Sequence, residues 1–305
     1  MLTQWTVSNF GCITTPVCLD WQPLGLHAEH RTTDDHGVSI LPLALLMDQK
    51  QQVSRDIFES FVLFSKLTKN QLHPENQKTL NDTFFEWYFQ SAFGEFRYRL
   101  KFDKGGIVEE NLALKSNDQD RIKVFFERHA DYVQVIDSLS QKLCNCPLNH
   151  QNVVLTELFK HKHPQLEPLR DFLSNIVWFK NADKLMTHND HESLTQSLYL
   201  LAIDTKTTLK ADALDRLIER FSHPETNPQN AQLIISTDSP VVLNSDKLRP
   251  DEIWAILYPR YQPPFCYSLA ELKEKDLASV RENLSQAYEE GLFGPTNALK
   301  HHDAG

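Results

Sequence analysis

The spacing of apolar side chains changes repeatedly along the chain, and each change marks an element. Residues 4 to 22 predict two short strands, one with Trp5, Val7 and Phe10, the next with Val17, Leu19 and Trp21, broken at Thr14-Thr15-Pro16. Residues 23 to 38 read as a polar loop. Ile40 to Met47 is the longest uncharged apolar run, and Ser39 to Met47 predicts a strand buried on both faces. From Val53 to Lys69 the apolar positions 53, 57, 58, 61, 62, 64 and 67 follow helical spacing. In Glu95 to Asp103, Phe96, Tyr98, Leu100 and Phe102 alternate with Arg97, Arg99 and Lys101, the clearest half-buried strand in the chain. Lys104-Gly105-Gly106 turns it back into Ile107 to Leu114, and Arg121 to Glu127 predicts a further strand. Residues 130 to 175 read as mostly helical, with breaks at Pro147, Pro164 and Pro168. Strands at Leu198 to Ile203, Gln232 to Thr237 and Glu252 to Leu257 then alternate with helical spacing at Leu209 to Phe221 and Leu277 to Tyr288. Strand–helix–strand order at both ends, with antiparallel material between, predicts an α/β fold with an inserted subdomain.

Composition narrows the functional classes. The 305 residues are 41% hydrophobic and 24% charged, the balance of a soluble protein that buries its core without staples. A formal charge of −10 disfavours a protein that coats nucleic acid. Nine glycines leave little material for glycine-rich phosphate loops. No apolar run approaches the ~20 residues of a membrane span, Met1 to Phe10 has no signal-peptide pattern, and five cysteines make no disulfide framework. The expected compartment is the cytoplasm.

Several pieces of the chain, in order, resemble the AAA-type ATPases of bacterial abortive-infection and phage-defence systems, whose heads are of the ABC type found in SMC proteins. Trp5 to Phe10 with Ile13 and Pro16 to Asp20 resembles the family's opening strand pair. Phe96 to Phe102, Gly106 to Glu110 and Phe126 to Arg128 resemble its antiparallel sheet. Ala231 to Thr237 and Leu248 to Trp254 resemble its last core strands, and Arg281 to Asn283, Ala287-Tyr288 and Gly291 to Pro295 its tail. The resemblance implies an ABC-ATPase-like core in residues 1–80 and 198–305. An antiparallel β insert would occupy 81–130 and a reduced helical region 131–197.

It also implies where nucleotide chemistry should sit, and there the residues are wrong. A P-loop needs glycines that let backbone N–H groups wrap the phosphates, then a Lys and a Ser or Thr. After the strand ending at Met47, Asp48 and Val53 stand at the glycine positions, Ser54 at the lysine and Arg55 at the Mg²⁺-binding residue. Lys50 and Arg55 supply positive charge without the cradle. A plain strand-to-helix turn explains this stretch better. The strand Leu200 to Asp204 keeps its metal-ordering Asp, but Thr205 replaces the Glu that would polarise water. Asp238 stands at the switch histidine and, with Ser239-Pro240, reads as the cap of a following turn. Glu192 to Thr195 is at most a remnant of the ABC signature.

Four altered elements imply a pseudo-ATPase with no cofactor, acting as a scaffold or regulatory subunit beside a second copy, an active ATPase or a nuclease. The alternatives are a divergent ATPase holding ATP and Mg²⁺ through Asp204 with Lys50 or Arg55, and a nucleic-acid-binding module using the Arg97, Arg99 and Lys101 stripe. Cys144, Cys146 and His150, with His161 and His163 downstream, have zinc-ligand types but too tight a cysteine spacing.

Overall fold

In the computed structural model the chain divides into two units. One comprises Met1–Asp20, Thr33–Val38 and Glu59–Ile176, the other Trp21–Thr32, Ser39–Phe58 and Val177–Gly305. The structure describes residues 1–23, 32–33, 39–69, 80–104, 106–117, 122–129, 132–135, 153–160, 162–179, 198–203, 211–245, 247–272, 284–290 and 293. In chain order the strands are Leu2–Ser8 (β1), Val17–Asp20 (β2), Thr32–Thr33 (β3), Ser39–Ile40 (β4), Leu43–Asp48 (β5), Phe84–Ser91 (β6), Gly94–Asp103 (β7), Gly106–Ser116 (β8), Ile122–His129 (β9), Tyr132–Val135 (β10), Ile176–Phe179 (β11), Leu198–Ile203 (β12), Gln232–Thr237 (β13), Ile253–Leu257 (β14) and Phe265–Ser268 (β15). The α-helices are Val53–Thr68 (α1), Val154–Lys160 (α2), Glu167–Ser174 (α3), Ala211–Ser222 (α4) and Leu284–Glu289 (α5). The whole is mixed α/β with two main sheets.

The first unit is built on period-two alternation. Its sheet is antiparallel throughout, in the order β10-β9-β8-β7-β6-β1-β2. Phe85, Trp87 and Phe89 on β6 and Phe96, Tyr98, Leu100 and Phe102 on β7 are all buried on one face. Gly94 makes the tight turn between these strands at φ 131°, where a Cβ would lie 2.0 Å from the Lys115 carbonyl oxygen. The second half of α1 supplies the opposing apolar stripe. Phe64 meets Trp5, Trp87 and Tyr98 edge-on, with centroids 5.4, 5.6 and 5.4 Å apart. On the other face Glu86 accepts from Arg97 at 2.7 Å and Arg99 at 2.6 Å. Burial works against that carboxylate, but the two guanidiniums outweigh it and hold its pKa below the usual value. Two members of the predicted basic stripe are therefore partly neutralised.

One charged side chain sits on the buried face. Glu110 is in phase with Leu112 and Leu114 and has no exposed surface. It accepts from the Tyr98 hydroxyl at 2.8 Å and from the amides of Val154 and Leu155 at 2.8 and 3.0 Å, with Arg128 at 3.7 Å. Burial pushes its carboxyl up, and the two amides, the phenol and the guanidinium oppose that shift. These bonds fasten the start of α2 to the sheet.

In the second unit the strands run β11-β12-β13-β5-β14-β15. β12, β13, β5 and β14 are mutually parallel, and β15 pairs antiparallel with β14. Every residue of β5 and β13 is buried, as expected of parallel strands covered on both faces. Leu214, Leu217, Ile218 and Phe221 of α4 join that core. Asn227 closes the turn into β13, donating to the carbonyls of Phe221 and Ala231 and accepting from the Ala231 amide.

Three sequence expectations change. The run Ser39 to Met47 is not one strand: Pro42, which has no N–H to donate, separates β4 from β5. Residues 132–135 are a strand, not helix, pairing with β9. β6 and β15 were not anticipated, although Phe85, Trp87 and Phe89 carry the alternation of β6. The predicted Leu277 to Tyr288 helix is seen from Leu284, residues 273–283 lying outside the described ones.

Phe64→Ala opens a void among four rings and should cost about 3–5 kcal/mol in urea denaturation, whereas Arg97→Ala on the exposed face should cost under about 1 kcal/mol. A second expectation concerns Glu252, which is 1% exposed. Burial raises its carboxyl from 4.5 to about 8, the Arg249 amide opposing and Asp251 adding. The native state then binds more protons than the unfolded chain across that interval, so stability falls as pH rises from 4.5 to about 8. Glu252→Gln should remove this slope and gain roughly 2–4 kcal/mol over the parent above that range, with little difference at pH ~4. Denaturation midpoints across pH check it.

Candidate functional site

Parallel strand β5 delivers its last residue, Asp48, to the start of α1. The carboxylate has no exposed surface. Its Oδ1 accepts from the amides of Lys50 at 3.1 Å and Gln51 at 2.9 Å and from the Tyr258 hydroxyl at 2.6 Å. Its Oδ2 accepts from the Ser54 amide at 2.9 Å and the Ser54 hydroxyl at 2.8 Å. The Val53 amide donates to the Tyr258 oxygen at 3.2 Å. Amides at the first turn of a helix carry partial positive charge and ordinarily attract anions. Here a carboxylate from the chain itself takes them. The turn closes with Gln51 at φ 50°, a left-handed conformation that these bonds hold in place. Burial and then the hydrogen bond to Asp48 push the Tyr258 phenol up, so it stays protonated as a donor.

The residues the sequence implies as a nucleotide loop, Asp48, Val53 and Ser54, meet at one strand-to-helix turn, with Asp48 folded inward as the ligand of that turn. Val53 and Ser54 spend their amides on Tyr258 and Asp48. The Lys50 ammonium lies over the Tyr258 ring, 4.4 Å from its centroid. Arg55 instead lines a cavity of about 290 Å³ beside the helix, together with Gln51, Ser54, Phe58, Trp178, Ala202 and Ser236. Ala202 and Ser236 belong to the C-terminal halves of β12 and β13. Sites in open parallel sheets form at that end.

Asp238 follows β13. It does not cap the 3-10 helix Pro240–Asn244: the N-cap residue is Ser239, without a side-chain cap bond, and the Ser239 amide donates to Thr237 Oγ1 at 3.1 Å. Asp238 Oδ1 and Tyr288 Oη are each buried without a hydrogen-bond partner. Burial raises the Tyr288 phenol, and the charges of Asp48 and Asp238 add to that.

Asp204, Thr205, Cys144, Cys146, His150, His161 and Glu192 to Thr195 lie outside the described residues. His163 is described: its Nδ1 accepts from the Gln165 amide at 3.2 Å, and its ring sits edge-on to Phe125. Among the described residues no group of three His, Cys, Asp or Glu side chains is placed to hold a metal. Among them, too, no helix is long and apolar enough to cross a membrane. Sequence reasoning missed Tyr258, 210 positions from Asp48, for which no local signal exists.

No protein-family model matches the chain, and no curated protein matches it. Among solved structures it is similar to the SMC head domain from Thermotoga maritima, at 11% sequence identity and a TM-score of 0.42. That match covers 88% of this chain and 98% of the other.

Asp48→Ala strips the acceptor from three amides and two hydroxyls. It should cost roughly 2–4 kcal/mol in urea denaturation, and Tyr258→Phe about half of that.

Proposed function

We propose that this chain is a catalytically degenerate ABC-type ATPase head, a cytoplasmic scaffold or regulatory subunit of a bacterial abortive-infection or phage-defence system. The observation that carries the first half is the Asp48 carboxylate bonded to the amides of Lys50, Gln51 and Ser54. A phosphate seeking this turn would have to displace an internal anion held by five donors. It would then meet Ser54 where a lysine should neutralise it. Asp238, at the end of the neighbouring strand, adds like charge. The parallel order β12-β13-β5-β14, with α1 directly after β5, supports an ATPase-like ancestry. The defence role rests on the resemblance of residues 5–20, 96–128, 231–254 and 281–295 to that family. A chain with this site would act by binding a second copy, an active ATPase or a nuclease of the same system, and no cofactor is required.

Calorimetric titration with ATP and Mg²⁺, run beside a phosphate-release assay, tests the reading. The expected result is no heat and no phosphate at millimolar nucleotide. Saturable binding that is lost in Asp204→Ala would overturn it.

A further inference from the structure

We propose that the rim formed by the β5–α1 turn and the β14–β15 loop docks an acidic segment of a partner protein that also carries an apolar side chain. The inference rests on the scaffold reading and names the face that meets the partner. Ile256 of β14 pairs in parallel with Asp48 of β5, so both connections leave the sheet at the same end. Lys50 reaches from one to the other, its ammonium 4.4 Å from the centroid of the Tyr258 ring. All of these residues belong to the second unit. The loop runs from Tyr258 to Pro264 and holds Pro259, Pro263 and Pro264. Prolines restrict the loop before it docks, so less entropy is lost on docking. The Gln262 amide donates to the Pro259 carbonyl at 3.5 Å, closing a turn with Arg260 and Tyr261 at its tip.

The tip presents side chains of the kind that dominate protein interfaces. Tyr261 is 87% exposed, and the Arg260 guanidinium lies over its ring, 5.4 Å from the centroid. Tyrosine and arginine recur at binding hot spots because each joins a broad packing surface to a polar end. Lys50 and Arg260 are both exposed, and among the described residues neither forms an ion pair; each is held against a tyrosine ring instead. Asp48, two residues before Lys50, is buried and already accepts from five donors. The rim thus presents two unpaired cations on a chain whose formal charge is −10. Charge of this kind draws and orients an opposite charge. A pair of carboxylates matches the two cations, and an apolar side chain beside them packs on Tyr261. A nucleic acid suits the rim less well, since it calls for a longer run of cations, about six to ten phosphate contacts, and meets the net negative charge of the chain. A second copy placed by a twofold axis through the rim would bring Lys50 and Arg260 against themselves.

The full chain would be titrated by fluorescence anisotropy with a labelled peptide of alternating glutamate and leucine, at low and at high salt. The same peptide with glutamine for glutamate and a labelled single-stranded oligo-dT serve as controls. Calorimetry with ATP and Mg²⁺ runs beside them, and sedimentation velocity follows self-association. The acidic peptide is expected to saturate below millimolar at low salt and to weaken about tenfold in about 0.5 M salt. The glutamine peptide should bind about tenfold more weakly or not at all. Arg260→Gln and Tyr261→Ala change exposed loop positions outside the core, and each should weaken binding about fivefold, as should Lys50→Gln. No saturation at millimolar peptide, equal binding of the glutamine peptide, or unchanged binding in all three variants would overturn the proposal. So would tighter binding of oligo-dT than of the acidic peptide, or a dimer that is lost in the same variants, since the rim would then belong to nucleic acid or to a second copy. If ATP is inert and the peptide fails, only this inference falls. If ATP and the peptide both bind, the degenerate-ATPase reading falls while the rim's preference stands.

Discussion

The second unit turns on one carboxylate. Asp48 joins the last residue of a fully buried parallel strand to the first turn of the helix that follows. An unpaired buried carboxylate would be prohibitively costly, and unpaired helix-start amides nearly as unwelcome. Putting the two together removes both penalties at once. It also fixes the angle at which α1 leaves the sheet, because both oxygens are engaged. Tyr258 ties β14 to the same point, so two strands and a helix are registered through a single side chain. The cavity lined by Arg55 and Phe58 exists where it does because α1 is held there.

The first unit uses the same device independently. Glu110 accepts from two successive amides at the start of α2 and from the hydroxyl of Tyr98, with Arg128 near by. In both places a strand carboxylate, a helix start and a tyrosine from a neighbouring strand or its end form one knot. The difference lies in the counter-charge. Glu110 has a guanidinium, and burial still raises its carboxyl. Among the described residues Asp48 has no cation bonded to it, only five neutral donors, two of them from Ser54. Neutral dipoles that are fixed in place stabilise a buried anion well, which is the same physics by which such turns hold phosphate.

How much of this could be read from the sequence follows the range of the interactions. Alternation in β7 and helical spacing in α1 are local and were legible. β13 was legible from its apolar centre Leu233-Ile234-Ile235, although the polar Gln232, Ser236 and Thr237 are buried with it. Pro42 inside an apolar run was a visible warning that Ser39 to Met47 would break. β10 and β15 are four-residue strands whose pairing, not their pattern, makes them strands. At the site, Asp48, Lys50, Val53, Ser54 and Arg55 were identified as a group through the resemblance, which puts a nucleotide loop directly after this strand. What Asp48 does there was not legible, because its partner Tyr258 comes from the far end of the chain. The Phe58–Trp178 corner is hidden for the same reason: 120 positions separate two aromatic residues that each read simply as core.

An aspartate at position 48 gives the turn after β5 an internal acceptor for its amides. A glycine at that position would leave the amides of the turn open to water or to an anion from outside. An aspartate supplies the anion permanently. The turn is satisfied without an anion from outside, so an anion that bound there would first have to displace an internal acceptor. Opening the turn to an external anion takes more than Asp48→Gly. That substitution would free the amides, but the Tyr258 and Ser54 hydroxyls would lose their acceptor at the same moment. The site is therefore held in its present state by several mutually satisfied groups.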